Sequence, residues 1–105
     1  MTQISYTRYH DEHIIECIGH AESSPFGEAI LCSAVSVLCL TAREYLEKAS
    51  AEGLIRNLYC NFEPGKVFIT FTCSEGSDAE KCIETIICGF KMLGESFPDN
   101  IDLDI

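Results

Sequence analysis

The chain has no tryptophan, three prolines, and only 7 basic residues against 17 acidic ones among 105. That shortage of positive charge, a net -10, argues against nucleic acid and against an anionic membrane surface, whose phosphates would be repelled. A basic partner would be attracted instead, although solubility alone accounts for the same acidity equally well. No apolar run approaches the roughly 20 residues of a membrane-spanning helix. The opening Met1-Thr2-Gln3-Ile4-Ser5 lacks the basic and apolar regions of a signal peptide, so a cytoplasmic protein is expected. Cysteine is plentiful, seven in all, yet no two form a C-x-x-C pair and only three histidines accompany them. This removes the common zinc templates, and neither a metal nor another cofactor is expected. In a reducing compartment most of these thiols read as small buried hydrophobes.

What the chain does have is clear periodicity. Residues 3 to 9 alternate, with Ile4 and Tyr6 on one side, and predict a strand. After a turn at His10-Asp11-Glu12, a second strand runs from His13 to Gly19, with Ile14, Glu16, Ile18 and His20 on one side; His10 and His13 are expected to be exposed turn histidines. A helix from about Gly27 or Glu28 to Ala51 carries Leu31, Val35, Leu38, Ala42, Leu46 and Ala49 at helical steps, and Gly53 ends it. Leu58-Cys60-Phe62 and Val67-Ile69-Phe71-Cys73 form a second hairpin about Pro64-Gly65, leaving Phe68 on the outer side of its strand. Ser77-Asp78-Ala79-Glu80 is a capping box opening a second helix, which stops before Pro98. The tail 101–105 alternates and can add a short edge strand. The order β-β-α-β-β-α predicts an α+β two-layer sandwich, one domain over residues 1–105. It has a mostly antiparallel four-stranded sheet, a possible C-terminal edge strand, and both helices on one face.

Within that frame Gly19-His20-Ala21 sets an imidazole at the end of one element, and Cys32, in Ile30-Leu31-Cys32-Ser33-Ala34-Val35-Ser36-Val37-Leu38, sets a thiol near the start of the next. A cysteine nucleophile needs such a neighbour to take its proton. Free amides and the helix dipole near the start of the helix would favour a thiolate and could hold an oxyanion. Ser36, one turn on, could donate to the sulfur or bond back to its own helix. Spacing alone favours two buried or idle side chains over a catalytic pair.

G-H-A, a loop containing Gly27, and then I-L-C-S-A-V-S-V-L resemble the signature of the ribosomal-processing cysteine proteases. The resemblance carries the family's dyad onto His20 and Cys32, with Gly19, Ala21, Gly27 and Ser36 in support and Glu22, Ser23, Ser24, Pro25 and Phe26 as a substrate-covering loop. It implies an endopeptidase that removes an N-terminal extension from the precursor of a large-subunit ribosomal protein, and it implies a homodimer. Two positions depart from the pattern. Ala29 stands where the family usually has an acid, with Glu28 about a hundred degrees away round the helix. The loop after G-H-A carries Glu22 and Pro25 where the family is richer in glycine. These departures keep open a rival reading, a non-catalytic dimeric binding module of the same fold. A redox sensor built on Cys32 would need a second thiol, and Cys39 lies about two turns off along the same helix.

Overall fold

The structure is a computed structural model. It describes residues 1–19 and 31–105 in full and the backbone alone over 26–30. The elements are β1 (Thr2–Tyr9), β2 (Glu12–Ile18), α1 (Phe26–Ala51), β3 (Arg56–Glu63), β4 (Lys66–Thr72), α2 (Asp78–Ser96) and β5 (Ile101–Asp104). The sheet order is β3-β4-β2-β1-β5. Both hairpins and the central β2–β4 pair are antiparallel, whereas β5 lies parallel to β1. The tail is therefore the short C-terminal edge strand that its alternation allowed, and its parallel pairing makes the sheet mixed. A crossover through α2 permits the parallel pairing, since a parallel neighbour cannot be reached by a tight turn.

The alternation seen in the sequence becomes two faces. His13, Ile15 and Cys17 of β2 and Ile69 and Phe71 of β4 are buried beneath the helices, while Ile14, Glu16, Ile18 and Phe68 on the opposite face are partly covered. From α1 the stripe Leu31, Val35, Ala42, Leu46 and Ala49 enters the core together with Cys39. From α2 come Ala79, Ile83, Ile87, Phe90 and Leu93. Burying a side chain of Leu or Ile size stabilises by about 1.5–3 kcal/mol, so these stripes fix both helices on one face. Phe68 is half covered and meets Tyr59 edge-on at 6.2 Å between ring centroids.

The ends of the elements follow from local chemistry. Gly53 takes φ +75, and the amides of Gly53 and Leu54 return to the carbonyls of Ser50 and Ala49, closing α1. At the start of α2 the Ser77 hydroxyl accepts the Glu80 amide at 3.3 Å. The reciprocal half of the capping box is displaced by one residue: the Glu80 carboxylate accepts from the Gly76 amide at 3.0 Å.

His13 corrects an expectation. It is wholly buried rather than an exposed turn histidine, because the turn is only His10-Asp11 and β2 begins at Glu12 with residue 13 facing the helices. Its Nδ1 lies 2.7 Å from the Tyr6 hydroxyl, its Nε2 3.5 Å from Cys73 Sγ and 3.8 Å from a Glu80 oxygen, and its ring stacks on Phe71 at 4.8 Å. A carboxylate beside Nε2 favours the proton there, which leaves Nδ1 to accept from Tyr6. Arg8 closes the cluster at 2.8 Å from Glu80. The cysteines also divide more evenly than expected. Cys17, Cys39 and Cys73 are buried, Cys32 and Cys60 are intermediate, and Cys82 and Cys88 are exposed.

Candidate active site

At the opposite end of β2 from His13 lies a cleft of about 290 Å³. One wall is α1, with Cys32, Val35, Ser36, Cys39 and Leu40; the other is the β3–β4 hairpin end, with Phe62, Glu63, Pro64, Gly65, Lys66 and Val67. Thr2, Cys17 and Gly19 complete the lining. Most of this surface is apolar, so it suits an uncharged side chain, and of its three cysteines Cys17 and Cys39 are buried while Cys32 is half-exposed.

Close backbone approach shapes the base of this cleft. The Gly19 amide donates to the Gly65 carbonyl at 2.9 Å, tying the end of β2 to the Pro64-Gly65 turn. A Cβ on Gly19 would stand 2.8 Å from Thr2 Oγ1, and one on Gly65 would stand 2.6 Å from the Gly19 carbonyl oxygen. Gly65 also takes φ +76, which a side chain resists. Gly65 therefore requires glycine, while at Gly19 a side chain would have to displace that of the buried Thr2.

Of the residues singled out in the sequence, Gly19, Cys32 and Ser36 are brought together on this cleft. His20, Ala21, Glu22, Ser23, Ser24 and Pro25 lie outside the described residues. Phe26 and Gly27 belong to the first turn of α1, with their side chains outside the description. The strand alternation that grouped His20 with Ile14 and Ile18 ends with β2 at Ile18, so it sets no face for residue 20.

Because α1 begins at Phe26, Cys32 falls in its second turn, within the first turn or two expected, and the free amides belong to the turn before it. The hairpin wall is what the sequence reading missed. The Pro64-Gly65 signal located a turn but carried no information about what that turn would face.

The family model of the cysteine protease Prp matches residues 1–102. The chain belongs to that family. Among solved structures, SMU.848 from Streptococcus mutans shares 23% identity at a TM-score of 0.72, covering 100% of this chain and 93% of that one. The ribosomal processing protease Prp from S. aureus, in complex with a covalently linked product peptide, shares 18% identity at a TM-score of 0.76, covering 99% and 98%. The same S. aureus protease with a substrate peptide gives 16% and 0.73 over the same shares. At these identities the likeness establishes the fold. No curated protein matches the sequence. Among the described residues no helix is long and apolar enough to cross a membrane.

Proposed function

We propose that this member of the family is an endopeptidase that removes an N-terminal extension from a large-subunit ribosomal protein, with Cys32 as nucleophile and His20 as general base and acid. The observation that carries the reading is the shared cleft: Cys32 lines it, and so does Gly19, the residue immediately before His20. The fold shared with a ribosomal processing protease crystallised with peptides supports the substrate class. So does the net charge of -10, which favours a basic protein substrate.

In this mechanism His20 takes the Cys32 proton, and the thiolate attacks the scissile carbonyl to give a tetrahedral intermediate. Its collapse expels the amine, which receives the proton from His20, and leaves an acyl-enzyme that water hydrolyses. The apolar wall of Phe62, Pro64 and Val67 offers room for an apolar or aromatic substrate side chain. The reading also takes the active species to be a cytoplasmic homodimer.

The test is cleavage of a candidate precursor by the wild type, Cys32→Ala and His20→Ala. Loss in both variants is expected. Undiminished cleavage by either removes that residue from the mechanism, and a wild type that binds the precursor without cutting it favours the binding module.

A further inference from the structure

Behind Cys32, in the same cleft, two other thiols meet. Cys17 comes from β2 and Cys39 from α1, and their sulfurs lie 3.6 Å apart, both side chains being buried within the protein and lining the cleft's inner end. They sit on facing elements, and their sulfurs have only about 1.6 Å to close to reach the roughly 2.05 Å of a disulfide. The segment they would enclose, 17–39, contains both His20 and Cys32.

We propose that Cys17 and Cys39 form a reversible disulfide when the protein meets a hydroperoxide, cross-linking β2 to α1 around the candidate active site. The pairing is intramolecular and preformed, which sets it apart from the exposed Cys82 and Cys88, six residues apart along α2. The two thiols share one hydrogen bond, Cys39 to Cys17, so ionisation of either leaves the other as the donor that holds its thiolate. Whichever of the two ionises is the attacking thiolate. Its sulfur takes one peroxide oxygen as the O–O bond breaks, releasing water or an alcohol and leaving a sulfenic acid. The partner sulfur then displaces that oxygen as a second water, the S–S bond forms, and the two thiols have been oxidised by two electrons while the peroxide has been reduced. A cytosolic disulfide of this kind is expected to be transient and reversed by thiols. The cross-link stands on the thiol geometry alone; any effect on turnover rests on the protease reading.

The experiment treats full-length Cys32→Ser protein with hydrogen peroxide, blocks the remaining thiols, and digests without reductant. Cleavage after glutamate separates residues 17–22 from residues 29–44, so Cys17 and Cys39 fall on different peptides and Cys39 is the only thiol on its own. The expected product is the linked pair, lighter by two hydrogens, in most of the protein, with dithiothreitol restoring both peptides. Closing a loop of this size should raise Tm by roughly 10 °C in the oxidised form. Cys39→Ser and Cys17→Ser should each lose the link and the Tm rise. Oxidation that stops at sulfinic acid on Cys39, or links either residue to another cysteine instead, overturns the proposal. So does a Tm rise that persists in Cys39→Ser.

Discussion

The two ends of β2 each bring a cysteine close to a histidine or to the residue that leads into one, and they do so in opposite environments. At the hairpin end His13 and Cys73 touch, with exposures of 0% and 3%, inside a cluster closed by Tyr6, Phe71, Glu80 and Arg8. Burial raises the Cys73 thiol and lowers the His13 imidazole, so a proton moving from sulfur to nitrogen would create two charges that this interior disfavours. Neither residue lines the cleft. At the other end Cys32 is only half covered and opens on a cleft that Gly19 borders. A short Cys–His distance is thus a poor sign of chemistry, while room for a substrate carbonyl is a good one. The first arrangement fits a neutral, hydrogen-bonded brace between β1, β2, β4 and α2.

The comparison breaks most visibly in activity. Cys32→Ala should lower precursor cleavage roughly a thousandfold or more, whereas Cys73→Ala should leave it within about twofold. The reverse pattern, read in the same cleavage assay, would move the nucleophile to the buried end. Stability should sort the other way. His13→Ala removes a stacked ring and strands the Tyr6 hydroxyl, at a cost of about 3 kcal/mol in urea unfolding. A loss below about 1 kcal/mol would mean that the cluster is not the brace described.

A smaller effect sharpens the same point through pH. Burial first, and Arg8 next, hold the His13 imidazole below its ordinary value, with Glu80 opposing. Between that lowered value and about 6.5 the unfolded chain binds a proton that the folded one refuses. Stability should therefore fall as pH drops through this window and level off beneath it, and His13→Asn should flatten the slope. Smallest of all, Ser77→Ala should cost about 1 kcal/mol by removing the cap on the Glu80 amide, with cleavage unchanged.

Much of the fold was legible because alternation and helical spacing report burial directly. Ile4, Ile69 and Phe71, and Leu31, Val35, Ala42, Leu46 and Ala49 of α1, lie where those periods put them. His13 was misread because a polar residue beside a turn looks exposed until its partners are known, and Tyr6, Cys73 and Glu80 come from three other parts of the chain. Glu80 was read only as half of a capping box, and its second task beside Arg8 and His13 had no local sign. The candidate site was legible in part. The neighbourhood of Cys32 marked the thiol, but the facing hairpin wall and the meeting of Cys17 with Cys39 depend on tertiary packing that no local pattern encodes.

The most direct measurement exposes the native protein to a peptide bearing a thiol-reactive electrophile in place of its scissile bond, and maps the labelled residue by mass. The account predicts one peptide adduct, on Cys32, formed far faster than any reaction at Cys73 and slowed by His20→Ala. An adduct on Cys73 under native conditions, or a peptide that labels exposed Cys82 and Cys88 while passing over Cys32, would contradict it.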